Sequence, residues 1–140
     1  LLIAALLAAT TPALAQAPGT AARGAGPAVP QSWGSPTMAP FCPDDKKYAV
    51  VQAMVEEYST LKEKDEKLLG QQIASVVTVN GVRVTLEDGT WGLVRASSNK
   101  PSLVVVVESP ASEAQMRAMF AELDGRLAKF PEVGEYDQRL

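Results

Sequence analysis

The segment from residue 75 to residue 107 constrains the fold more than any other part of the chain. It consists of short runs of β-branched residues separated by the turn signals Asn80-Gly81 and Asp88-Gly89. Asn-Gly is the strongest two-residue hairpin signal, because both residues tolerate the positive φ angles of a type I′ turn. Such a short turn joins antiparallel neighbours, since parallel strands need a long crossover. The sequence therefore predicts an antiparallel sheet of four strands, 75–79, 82–86, 91–95 and 103–107.

Helical patterns flank these strands on both sides. The first helix is predicted to start at Pro43 and to end in the charged stretch 62–67, and its predicted apolar face comprises Tyr48, Val51, Val55, Tyr58 and Leu61. The second is predicted to begin with a capping box of Ser112 and Gln115. Its apolar stripe comprises Met116, Met119, Phe120, Leu123 and Leu127. This order predicts an α+β domain in which two helices cover one face of a four-stranded antiparallel sheet.

Composition excludes several kinds of site. The 140 residues include one cysteine, Cys42, and no histidine, which rules out an internal disulfide, a Ser-His-Asp triad and a His-ligated zinc site. A net charge of −3 argues against nucleic acid as a partner, because phosphate-backbone binding needs a basic surface. The acidic pair Asp44-Asp45 indicates a helix start rather than a metal site. We predict no catalytic residue and no metal ligand in this chain.

The first forty residues differ in kind from the rest. The apolar run 1–9 is too short to span a bilayer, so no membrane partner is predicted, and Ala13-Leu14-Ala15 fits a signal cleavage site. Two interpretations stay open, a secretory signal or the end of a helix that belongs to a preceding domain. The Ala-, Pro- and Gly-rich residues that follow indicate a poorly ordered linker. The predicted division is an N-terminal segment, 1–40, and a folded domain, 41–140.

One polar loop stands out between the third and fourth predicted strands. Arg95 offers a planar fork of donors, and successive backbone N–H groups in a tight loop form an anion-binding nest. Ser97, Ser98 and Asn99 add neutral donors, and Lys100 adds a second positive charge. A solvated hairpin loop and a site for a phosphate or carboxylate group are both compatible with this pattern. These five residues form the candidate site.

The stretch DGTWGLVRASSNKPSLVVVV resembles the phosphate-binding strand–loop–strand of the C-terminal domain of the α-D-phosphohexomutases, the phosphomannomutase/phosphoglucomutase family, and of its bacterial members in particular. QSWGSPTMAPFCPDDKKYAVV and ESPASEAQMRAMFAEL resemble the entry into that domain and its last helix. The resemblance covers about residue 31 to the end. It implies a TATA-binding-protein-like fold. The loop departs from the family pattern, because Ser98 stands at the usual Asn or Gly position and Asn99 at the usual Thr position. Lys100 occupies a position that is usually neutral or acidic.

The resemblance also implies a role for the chain. It looks like a C-terminal fragment of a four-domain isomerase, inactive alone, whose missing domains carry the phosphoserine, the Mg²⁺ ligands and the sugar-reading loop. Its role would be to bind the phosphate of mannose or glucose 1- or 6-phosphate through Arg95, Ser97, Ser98, Asn99 and Lys100. The expected parent enzyme is a cytoplasmic monomer. The alternative function is a small exported anion-binding module that uses the same loop after removal of a signal in residues 1–15.

Overall fold

The computed structural model describes residues 31–140. The predictions for residues 1–30, including the signal-like and linker segments, lie outside this range. The described chain forms β1 (Trp33–Gly34), α1 (Lys47–Glu63), β2 (Lys67–Leu68), β3 (Gln71–Val77), β4 (Val82–Leu86), β5 (Trp91–Ala96), β6 (Leu103–Ser109) and α2 (Glu113–Leu127). The predicted α+β class is confirmed. Neither α1 nor α2 is long and apolar enough to cross a membrane.

The sheet has six strands, so the prediction of four is incomplete. Its order is β1-β6-β5-β4-β3-β2, and every pair of neighbours is antiparallel. The four predicted strands form its centre as β3 to β6. At the edges, β1 pairs with the end of β6 (Trp33 with Ser109) and β2 pairs with the start of β3 (Leu68 with Gln71). These edge strands have two residues each, too few to show the alternation that identifies a strand.

The two predicted turns, at Asn80-Gly81 and Asp88-Gly89, occur where the sequence predicts them, but the connection at Asn80-Gly81 is longer than predicted. Asn80-Gly81 belongs to a four-residue connection, 78–81, so the predicted two-residue turn is wrong at this position. The two-residue turn is instead Leu69-Gly70, between β2 and β3, with φ angles of 50° and 75°. At the turn after β4, Gly89 donates to the Leu86 carbonyl and has a φ of 88°. Antiparallel pairing follows in each case, because all three connections remain short.

Both helices pack on the same face of the sheet. The buried residues of α1 and α2 form one core cluster with inward-facing strand residues such as Val84, Val94 and Val105. The predicted apolar stripe of α2 is confirmed, since all five of its residues are buried. The capping box is half formed, because Ser112 Oγ accepts a hydrogen bond from the Gln115 backbone N–H at 3.0 Å.

The buried face of α1 differs from the prediction at its first turn. Val51 and Tyr58 are buried as predicted, and Val55 and Leu61 are partly buried against the core. Tyr48, however, is 63% exposed, while Lys47 is only 3% exposed. The helix begins at residue 47, not 43, and its first turn borders an open cleft, which is where the Tyr48 side chain lies. α1 ends at Glu63, inside the charged stretch 62–67 as predicted, and the last residue of that stretch, Lys67, begins β2.

The segment before α1 is held between β6 and the C-terminal tail. Met38 is fully buried and forms a bridge with Val105 of β6. On the other side, the Phe41 N–H donates to the Glu135 carbonyl at 2.8 Å, and the Gly134 N–H donates to the Phe41 carbonyl at 2.8 Å. The sheet therefore extends back to β1, before the predicted domain start at residue 41.

A hydrogen-bonded carboxylate fixes the turn between β4 and β5. Asp88 Oδ1 accepts from the Thr90 N–H at 2.8 Å, and Oδ2 accepts from Gln71 Nε2 at 2.9 Å. Burial raises the pKa of Asp88, but the hydrogen bonds from Thr90 and Gln71 outweigh this effect, so its pKa falls below the ordinary value of 3.8. A carboxyl group with a lowered folded pKa stabilises the fold above its unfolded pKa, and this contribution disappears as the pH falls through the folded pKa.

We expect Asp88→Asn to lower the free energy of unfolding by about 1 kcal/mol at about pH 7, because one hydrogen bond to a charged acceptor is lost. The difference from the unaltered chain should close as the pH falls below 3.8, where Asp88 becomes protonated. Urea titrations over this pH range measure both effects. Glu87→Gln, which removes an exposed neighbouring charge, is the control. If the Asp88→Asn and unaltered chains differed in free energy of unfolding by the same amount at every pH, the stabilising role of the Asp88 carboxylate would be contradicted.

Candidate anion-binding site

The candidate loop connects β5 to β6 and is closed by backbone hydrogen bonds. Its flanking strand residues pair directly, Arg95 with Val104 and Ala96 with Leu103. Within the loop, the Ser97 N–H donates to the Ser102 carbonyl at 2.9 Å, and the Ser102 N–H donates to the Lys100 carbonyl at 2.8 Å. The Cys42 N–H donates to the Pro101 carbonyl at 2.9 Å and so attaches the loop to the segment before α1. These hydrogen bonds therefore fix the backbone conformation of the loop.

Arg95 lies at the edge of a cleft of about 770 Å³. The cleft is bounded by the first turns of α1, by the β3–β4 connection and by the end of β5, and it is lined by Tyr48, Val51, Gln52, Val55, Thr78, Asn80, Gly81, Arg95, Ala96 and Ser98. Arg95 is exposed. Among residues 31–140, no carboxylate lies within ion-pair distance of its guanidinium group. Its donors are available to an anion that enters the cleft.

The structure brings two of the five predicted residues to the cleft and leaves three outside its lining. Arg95 and Ser98 line it together. Ser97 is buried, and its hydroxyl donates to Asn99 Oδ1 at 3.2 Å. Asn99 and Lys100 are exposed elsewhere on the loop. Within the described chain, the backbone N–H groups of residues 98–100 make no hydrogen bond.

Gly81 brings the β3–β4 connection against Arg95. Its φ of +133° is outside the range that other residues adopt readily. A Cβ at this position would lie 2.5 Å from the Val94 carbonyl oxygen and 2.7 Å from Arg95 Cβ. Only glycine therefore allows the β3–β4 connection to lie this close to β5. The connection forms the side of the cleft next to Arg95.

Lys47, which is not among the predicted site residues, reaches the loop from α1. Its Nζ donates to Asp44 Oδ1 at 2.7 Å and to the Lys100 carbonyl at 3.0 Å. Lysine is almost never fully buried without a partner, and one of the two partners here, the Lys100 carbonyl, comes from a distant part of the chain. In the printed sequence Lys47 is one of two adjacent lysines, and no local pattern distinguishes it from Lys46.

Two further features of residues 31–140 bear on the chemistry of this region, the thiol of Cys42 and the absence of a metal-ligand cluster. Burial, and after it the nearby charge of Glu132, raises the pKa of the Cys42 thiol, which keeps it protonated and unreactive at neutral pH. Within residues 31–140, no group of three or more His, Cys, Asp or Glu side chains could hold a metal ion. The side chains of this part of the chain therefore do not fit a Mg²⁺ site.

The fold and the loop define a small α+β domain with an exposed arginine, Arg95, at the edge of a cleft. Residues 42–126 match the family model described as the phosphoglucomutase/phosphomannomutase C-terminal domain. This match covers more than half of the chain, and it includes α1, the sheet from β2 to β6 and nearly all of α2. The chain belongs to this family, as the sequence resemblance predicts.

Comparisons with individual proteins agree with the family. The chain is 38% identical over 73 residues to a phosphopentomutase of Thermococcus kodakarensis, and 32% identical over 72 residues to a probable phosphoglucosamine mutase of Methanothermobacter thermautotrophicus. These matches cover 52% and 51% of this chain but only 15% and 14% of the relatives. The crystal structure of a phosphoglucomutase/phosphomannomutase family protein from Burkholderia thailandensis has the same fold, with a TM-score of 0.51 and 22% sequence identity. The superposition covers 75% of this chain and 19% of the Burkholderia chain.

Proposed function

We propose that this domain binds the phosphate group of a sugar phosphate within a phosphomutase. Arg95 is the main anchor, and Ser98 and the backbone N–H groups of residues 98–100 complete the site. The observation that carries the proposal is the exposed Arg95 guanidinium, which has no carboxylate partner in the described chain and lies beside the cleft. A guanidinium group matches two phosphate oxygens with parallel hydrogen bonds.

The names of the relatives support a phosphate rather than a sugar as the group that this domain recognises. One is named for a phosphopentose and the other for a phosphoglucosamine. The phosphate is the part that these substrates share with a hexose phosphate. A domain common to such enzymes is therefore suited to bind the phosphate, and the choice of sugar, including mannose or glucose, falls to other parts of the enzyme.

In the proposed parent enzyme, a cytoplasmic monomer, this domain holds a hexose 1- or 6-phosphate while other domains move a phosphoryl group between the two positions. Those domains would supply the nucleophile and the Mg²⁺, because phosphoryl transfer depends on positioning and on metal-assisted charge stabilisation. The chain alone would bind phosphate without turnover. Ser97 and Asn99 would support the loop through their mutual hydrogen bond. Lys100, which is exposed, would add less than about 1 kcal/mol because solvent screens its charge.

We expect Arg95→Ala to weaken binding of inorganic phosphate and of glucose 1-phosphate by on the order of 2–3 kcal/mol, because a bidentate charge-assisted contact is lost. Arg95→Lys should recover part of this loss, since it keeps the charge without the planar fork. NMR titration of the 140-residue chain measures affinities in the weak range expected for a single domain.

Arg83→Ala is the matched control. Arg83 is also exposed on the sheet, but its guanidinium group lies 4.1 Å from the Trp91 ring centroid and away from the cleft lining. Both variants remove one positive charge, so a general electrostatic effect would weaken binding equally in both. Equal losses would show that the loop is an ordinary solvated hairpin.

A further inference from the structure

Lys47 occupies an unusual environment for a charged residue. It is the first residue of α1 and is 3% exposed. Its ammonium group has two hydrogen-bond partners, Asp44 Oδ1 at 2.7 Å and the Lys100 carbonyl at 3.0 Å, and it lies 5.3 Å from the centroid of the Tyr48 ring. Asp44 is 71% exposed at its side chain, so solvent screens its charge. The loop carbonyl is therefore the partner that Lys47 reaches inside the protein.

This contact fixes the end of the candidate loop. The Lys100 carbonyl accepts hydrogen bonds from both Lys47 Nζ and the Ser102 N–H. A carbonyl oxygen carries negative partial charge and would repel a bound anion if it turned towards the cleft. With two donors on it, this oxygen is held against α1, while the N–H groups of residues 98–100 stay unbonded in the described chain.

We propose that Lys47 is a positioning residue for anion binding: through its hydrogen bond to the Lys100 carbonyl, it holds the loop in the conformation that leaves the N–H groups of residues 98–100 free. It does not contact the anion. This inference rests on the proposed function, because it concerns the same loop and the same ligand.

The proposal predicts that binding and stability respond separately to Lys47→Met. The methionine side chain fills similar space without the charge. The Lys100 carbonyl keeps its bond from Ser102, and the exposed Asp44 gains water, so no buried group is left without a partner. Removal of one partner of an ion pair destabilises a protein when the other charge stays buried, but the Asp44 side chain is 71% exposed, so the change should be nearly neutral for stability. We expect inorganic phosphate to bind about five- to tenfold more weakly, because one charge-assisted hydrogen bond that shapes the loop is lost.

Two further variants separate positioning from other roles. Lys46→Met removes the neighbouring exposed lysine and thus the same net charge, and it should change the affinity less than about twofold, because solvent screens that charge. Asp44→Asn breaks the ion pair but leaves the contact between Lys47 and the loop, and it should leave phosphate affinity unchanged or slightly higher. If Lys47 served only to pair with Asp44 at the helix start, Lys47→Met and Asp44→Asn would behave alike.

The experiment titrates inorganic phosphate into each ¹⁵N-labelled 140-residue variant, follows the amide signals of residues 98–100, and measures urea unfolding in parallel. A Lys47→Met affinity equal to that of Lys46→Met, or a loss shared by Asp44→Asn, overturns the inference. If Lys47→Met does not fold, Lys47→Gln decides in the same way, because its amide is too short to reach the Lys100 carbonyl. Undiminished binding by Arg95→Ala would instead reject the proposed function, so the two failures are distinguishable.

Discussion

Gly81→Ala is expected to lower the free energy of unfolding by about 4 kcal/mol and to weaken phosphate binding as well. Two costs combine at this position. The φ of +133° is strained for any residue with a Cβ, by about 1–3 kcal/mol. The added carbon would also lie 2.5 Å from the Val94 carbonyl oxygen, and a clash with backbone costs about as much again. Because Arg95 Cβ is only 2.7 Å away, relief of the clash would displace the proposed anchor.

Gly70→Ala is the matched control for this prediction. Gly70 also has a positive φ, +75°, but a Cβ there would meet nothing within 4 Å. It should therefore show only the backbone cost, about 1–2 kcal/mol, and no change in phosphate affinity. Urea unfolding and phosphate titration of both variants measure the two effects. If Gly81→Ala and Gly70→Ala lowered the free energy of unfolding equally, the close contact between Gly81 and β5 would contribute nothing to the cost of Gly81→Ala.

Leu123→Ala is expected to cost about 3–4 kcal/mol of stability, because the side chain is fully buried between α2 and the sheet. Its partner across the interface is Gly92 of β5, where a Cβ would lie 2.8 Å from Leu123 Cδ1 and 3.1 Å from Met119 Cγ. In the unaltered chain, Gly92→Val should destabilise, because the overpacking outweighs the preference of valine over glycine in a strand, which is about 1 kcal/mol. In a chain that already carries Leu123→Ala, the valine has room, so Gly92→Val should raise the free energy of unfolding.

A double-mutant cycle tests this reversal of sign. The coupling energy between the two positions should exceed about 1 kcal/mol, as is usual for residues in direct contact. Gly125→Ala is the control, since Gly125 lies in the exposed part of α2 with nothing within 4 Å of a Cβ, and alanine should stabilise the helix by up to about 1 kcal/mol. Additive effects of Gly92→Val and Leu123→Ala would contradict the packing of α2 on the glycine.

The sequence by itself determined the centre of the sheet and the second helix. The runs around Val84, Val94 and Val105 alternate or remain apolar over strand length, and the Gly89 turn requires a residue that accepts positive φ. In α2, the spacing of Met116 to Leu127 fixes which side is buried. These signals depend on neighbours within a few residues, which is why they can be read without knowledge of the rest of the molecule. The residues of the candidate loop were likewise adjacent in the sequence.

The tertiary structure alone decided which face of α1 is buried, where the edge strands lie and what surrounds the loop. Helical spacing around Tyr48 and Val51 fits a buried face, but Tyr48 is exposed because it borders the cleft. Lys47 is buried instead, and its ammonium group donates a hydrogen bond to the Lys100 carbonyl. The edge strands form because β3 and β6 offer unpaired backbone groups. Lys47 and Lys100 are 53 positions apart. A contact between groups so distant depends on how the helix and the sheet pack together, and no local pattern of residues encodes it.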